Sequence, residues 1–78
     1  MANHTALLDV KTGRDLARIC GTDHQTQTIW FRLRAARREM LWSIAEGREA
    51  DAERHAKHVG THGRLLLQRA RKYGGLDV

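Results

Sequence analysis

The sequence predicts an all-α fold: a compact bundle of three to five helices around one long central helix, with a homodimer as the expected assembly. Three observations carry this. Proline is absent from all 78 residues, so no position lacks an amide or locks φ against a helix. Ala, Leu, Arg and Glu, all good helix formers, are abundant. Between about 23 and 46, apolar residues recur at helical period without a break. A chain of 78 residues holds one domain, 1–78, and at this size only about 60% of the unfolded surface is buried on folding. The core is therefore thin, and association with a second surface is a natural supplement.

Glycines punctuate the elements. A short arm occupies 1–11, where "TALLDV" is followed by the breaking "KTG". Thr12 with Asp15 three residues on reads as a variant capping box, and Leu16, Ala17, Ile19 and Cys20 give a short apolar face. A helix over about 13–20 follows, with Gly21 as its left-handed terminator. Thr22 and Asp23 offer the next N-cap, opening a helix over about 23–46. Its core stripe is Ile29, Leu33, Ala36, Met40 and Ile44, while Phe31, Ala35 and Trp42 fall on nearly the opposite side with Trp30 and Leu41 between. A helix apolar on two faces needs two coverings, one from its own chain and the other from later helices or a partner.

The remaining helices are expected over about 48–59 and 62–73, with continuity through Gly47 and Gly60 left open. The first runs from acidic (Glu49, Asp51, Glu53) to basic (Arg54, Lys57), as the helix dipole favours, with Glu53 and Lys57 spaced as an i,i+4 pair. Thr61 is placed to cap the second, whose inward residues would be Leu65, Leu66, Ala70 and Tyr73. Gly74 and Gly75 end it, leaving "LDV" as a frayed tail.

Composition narrows the function classes. The formal net charge is +5 and the pI about 10.4, which favours a polyanionic or acidic partner. Cys20 is the one cysteine, so an intrachain disulfide and a paired-cysteine zinc site are both excluded. No apolar run approaches the roughly 20 residues of a membrane span, and the first residues lack a secretion signal's pattern. The expectation is a cytoplasmic protein without membrane attachment. Cys20 has no base beside it in sequence and no glycine-rich phosphate loop occurs, so no enzyme activity and no cofactor are expected.

Ala17 followed four residues later by Gly21 lets a second helix approach closely across a turn. With the surrounding "LARICG", this resembles the first half of helix-turn-helix DNA-binding proteins of the phage-repressor type. The resemblance implies a recognition helix whose polar N-terminal residues reach base edges in the major groove. Here the candidate readers are His24, Gln25 and Gln27, glutamine being able to bond adenine in bidentate fashion, with Thr26 and Thr28 near phosphates. Gln27 departs from the pattern, because the family places a branched apolar residue there and this chain supplies one two positions later, as Ile29. A longer turn, a different interhelical angle, or a helix with another role would each account for it.

Arg32, Arg34, Arg37 and Arg38 form a basic cluster, with Arg34 and Arg38 on one face suited to phosphate. Arg64, Arg69, Arg71 and Lys72 form a second. Either cluster reads equally as an ordinary solvated helix face. His55, His58 and His62 would stack on a continuous helix and are the only candidate metal ligands, but Gly60 interrupts them and three ligands along one helix close a tetrahedron poorly. No metal site is expected. The function expected first is a small DNA-binding regulator of phage or mobile-element type, dimeric, with DNA as partner; the alternative is a helical interaction module or phage-type inhibitor that engages an acidic host-protein surface through Phe31, Trp42 and the arginines.

Overall fold

A computed structural model describes residues 10–74. Most of the expected arm and the tail at 75–78 lie outside that range. Three helices make up the described chain: α1 Gly13–Cys20, α2 His24–Ala45 and α3 Glu49–Tyr73. The described residues form no strand, and none of their helices is long and apolar enough to cross a membrane.

Local chemistry sets each boundary. Thr12 accepts the Asp15 amide at 3.2 Å while the Asp15 carboxylate accepts the Thr12 amide, so the capping box closes in both directions. The amide of Lys11, above all, and Thr12 hold the Asp15 carboxyl below its usual range. α1 stops at Gly21, whose φ of 87° suits glycine and whose Cα faces the Tyr73 ring so closely that a Cβ would sit 3.1 Å from it. Asp23 caps α2 by accepting the Thr26 amide at 3.1 Å. At the other end of α2, Arg48 N–H donates to Ser43 C=O (2.8 Å) and Gly47 N–H to Ile44 C=O (3.1 Å). That pair of bonds is the Schellman motif, and Gly47, at φ 74°, takes its left-handed position. The chain therefore reverses at 46–48, and the helix does not run through Gly47.

Gly60 behaves differently. The two segments expected at 48–59 and 62–73 are one helix of 25 residues, α3, which passes through both Gly60 and Gly63. Thr61 caps nothing; its hydroxyl donates back to the Lys57 carbonyl at 3.0 Å, as serine and threonine do inside helices. The physical reason is a shared face. Ala52, His55, Val59, His62, Leu66 and Ala70, three or four apart, are all buried or half-buried, and a break at Gly60 would turn half of them away from α2. Interior glycines cost about 1 kcal/mol each, less than the packing such a break would lose.

α2 and α3 form an antiparallel hairpin. Gly63 lies beside Leu33, and Arg69 reaches Asp23 at 2.5 Å, so residues pair at nearly constant sum along its length. On α2 the buried or half-buried positions Thr26, Leu33, Met40 and Ile29, Ala36, Ser43 repeat every seven residues. This seam drifts from the straight-helix stripe. Ile44, expected in the core, is accordingly 59% exposed, and Ser43 takes the buried place. Leu65 and Tyr73 are also exposed, while Leu66 and Ala70 are buried and Leu67 half-buried.

The large buried side chains gather at one end, where α1 lies against the hairpin. Leu16, Ile19 and Cys20 meet Trp30, Leu66 and Ala70, with Val10, Ile29, Leu33 and Leu67 packed around them. The Cys20 thiol donates to the Leu66 carbonyl at 3.6 Å, and burial raises its pKa, so this sulfur behaves as a small packed group. Towards the turn the seam holds only Ala36, Met40, Ser43, Ala52, His55 and Val59. α1, eight residues long, covers only part of a hairpin face whose helices are 22 and 25 residues.

Candidate functional site

The part of that face that the described residues leave open is a groove of about 1080 Å³. It begins against α1 at Val10, Lys11 and Leu16 and runs along the hairpin to Leu41 on α2 and Val59 on α3. Its apolar lining comes from both long helices: Phe31, Leu33 and Leu41 from α2, Leu66 and Leu67 from α3. Phe31 and Leu41 are 61% and 50% exposed, so the apolar surface is open to solvent.

Arginines line the same groove. Arg34 stacks its guanidinium 4.9 Å from the centre of the Trp30 ring, which holds it in place by cation–π attraction. Arg37 and Arg38, both exposed, also line the groove, and Lys11 adds a fourth cation. Among the described residues, only Arg48, Arg54 and Arg69 stand within ion-pair distance of an acid. The acids are spent elsewhere. Asp51 bridges Arg48 and Arg54 at 2.9 and 3.0 Å, and the expected pair of Glu53 with Lys57 is not within ion-pair distance. Glu46 meets Arg48 at 2.7 Å, and the Trp42 side chain first, then Arg48, hold its carboxyl below the usual range. No acid of the described residues stands within ion-pair distance of the groove's cationic side chains.

The start of α2 is arranged differently. Arg69 from α3 donates to both Asp23 and Gln25, tying the first turn of α2 to the last turns of α3. Thr26 first, and then Arg69, hold the Asp23 carboxyl below its ordinary range. Thr26 is fully buried in the seam, so the expected contact of its side chain with phosphate is corrected: tertiary packing takes it. Thr28 is half-buried and donates its hydroxyl to the His24 carbonyl at 3.0 Å. Of the polar run, His24 and Gln27 are exposed without such engagement.

The other sequence candidates scatter. Arg32, Arg64, Arg71 and Lys72 are exposed, with Lys72 beside Arg69, Asp23 and Tyr73 at a smaller cavity of about 440 Å³. Phe31 lines the groove, whereas Trp42, 60% exposed, lies outside its lining, so the two aromatics do not share one site. The uninterrupted α3 brings His55 and His58 to 6.5 Å between ring centres in an edge-on arrangement, and His62 buries its Nδ1 without a partner. Among the described residues no group of three histidine, cysteine or acidic side chains stands close enough to hold a metal ion. Leu41, Leu67 and Lys11 complete the groove and were not singled out from the sequence; Leu41's place between two apolar faces of α2 was the available signal.

Comparison with family models, curated proteins and solved structures found no match to this chain.

Proposed function

We propose that this chain is a small protein-interaction module that binds a partner protein through the α2/α3 groove. The observation that carries the reading is the coincidence, in one open groove, of exposed Phe31 and Leu41 with Arg34, Arg37 and Arg38, which have no acidic partner among the described residues. Apolar side chains at the centre and arginine nearby are the composition of interface hot spots. On this reading the described helices form a bundle that residues 10–74 leave one element short, and the partner completes it.

A DNA-binding regulator is the second reading. The exposed, acid-free Arg32, Arg38, Arg64 and Arg71, with His24 and Gln27 at the start of α2, favour it. Against it stand the engagement of Gln25 by Arg69 and the burial of Thr26, which remove two of the residues that would face a groove of DNA. A homodimer is a further way to cover Trp42, Ile44 and Leu65. A pull-down from native-host lysate, with and without nuclease, separates the readings. The interaction module predicts a stoichiometric protein that survives nuclease and is lost with Leu41→Glu. Recovery that depends on nucleic acid supports the regulator, and recovery of only a second copy supports the dimer.

A further inference from the structure

Resting on the groove as a protein-binding surface, we infer that its occupant is one short, acidic, amphipathic helix of the partner. Shape, charge and the chain's own composition each contribute. From Phe31 to Leu41 the open stretch of α2 spans about 15 Å at ~1.5 Å per residue, the length of a helix of roughly ten to twelve residues. α1 already shows the mode of packing: a short helix placing Leu16, Ile19 and Cys20 against Leu66 and Ala70, and the groove continues from it along the same pair of helices. Gly63 in the lining removes a side chain where the occupant would approach α3.

Charge selects the partner. Arg34, Arg37 and Arg38, with Lys11 at one end, border an apolar floor, and no acid of the described residues stands within ion-pair distance of the three arginines. A helix with Leu or Ile at i, i+3, i+4 and i+7 and Glu or Asp beside that stripe satisfies both features, and opposite charges across an interface favour encounter and register. A second copy is a poor occupant. The chain's described acidic stretch, Glu46 to Glu53, carries only alanines as apolar residues, and Glu46 and Asp51 are already paired with Arg48. Duplex DNA would use the arginines but leave Phe31, Leu41 and Leu67 uncovered.

The test is selection from a displayed library of random helical peptides of about twelve residues, sorted on the full chain and counter-sorted on Leu41→Asp. Leu41 is half exposed, so this variant is expected to fold, with its helical circular dichroism as the control. The expected outcome is enrichment of acidic peptides with the i, i+3, i+4, i+7 apolar pattern. Their affinity should fall at least about tenfold in Arg34→Glu/Arg38→Glu and weaken with added salt. Enrichment of neutral or basic peptides, the absence of any enrichment over Leu41→Asp, or self-association that occludes the groove overturns the inference. If a lysate partner is lost with Leu41→Glu while no acidic helix is selected, the occupant is wrong and the interaction surface stands. If the partner ignores the Leu41→Glu change, the surface itself is wrong.

Discussion

Replacing Gly60 with alanine should stabilise this protein, and the sign of that effect tests the continuity of α3. In the structure Gly60 is inside a 25-residue helix, exposed, and a Cβ built on it would meet nothing within 4 Å. Alanine then brings only the difference in helix propensity and the lower entropy of the unfolded chain, about 0.5–1 kcal/mol. For a domain of this size about 1 kcal/mol moves Tm by roughly 4–8 °C, so a rise of a few degrees is expected. Had Gly60 ended one helix and preceded another in a left-handed conformation, the same change would cost about 1–2 kcal/mol. Gly47→Ala is the internal control. Its φ of 74° places it where L-residues are strained, so it should lose about 1 kcal/mol although the space around it is open. Thermal and urea denaturation followed by circular dichroism measure both. A destabilised Gly60→Ala, or a Gly47→Ala as stable as the parent, would refute the helix boundaries on which the groove depends.

Further outcomes follow from the packing and the caps. Leu16→Ala, at a side chain 1% exposed that anchors α1, should cost about 2–5 kcal/mol in urea unfolding. Thr12→Ala removes one half of the capping box and should cost about 1 kcal/mol, read in the same assay. Leu41→Asp should cost only about 1–2 kcal/mol, from the half of the side chain that is buried and the lower helix propensity of Asp, leaving the chain folded while abolishing partner binding. Stability should fall in acid. Asp15 and Asp23 have folded pKa values below their unfolded ones, so their contribution is complete above the ordinary carboxylate value near 3.9 and is lost as pH drops through the depressed folded values. Denaturant midpoints measured from neutral pH downward check this, and Asp23→Asn should flatten the decline.

Local chemistry was readable in the sequence wherever one or two residues decide an outcome. The Thr12 and Asp15 capping box, the terminator Gly21, and the Asp23 cap each rest on a hydrogen bond or a dihedral angle that a few neighbours determine. Gly60 was legible only in part, since a glycine's local weakness is overridden by a face that runs from Ala52 to Ala70 in α3's packing against α2. The seam shows the same limit. A straight-helix projection puts Ile44 inside, and the seven-residue repeat of the hairpin puts Ser43 there instead. At the site, the arginine cluster was visible as charge, but its relation to Leu67 and Val59 depends on α3 folding back, a pairing no local pattern encodes. Likewise Gln25 and Thr26 read as free polar residues until Arg69 and the hairpin seam take them up.

On the proposed reading the groove, and not the polar start of α2, meets the partner. Site-specific photo-crosslinking in native-host cells reads this directly, with a crosslinking amino acid placed at Leu41 in one variant and at Gln27 in another, two exposed positions on the same helix. A discrete protein adduct is expected from position 41 and none from position 27. Crosslinks to nucleic acid at position 27, with nothing captured at position 41, would contradict it.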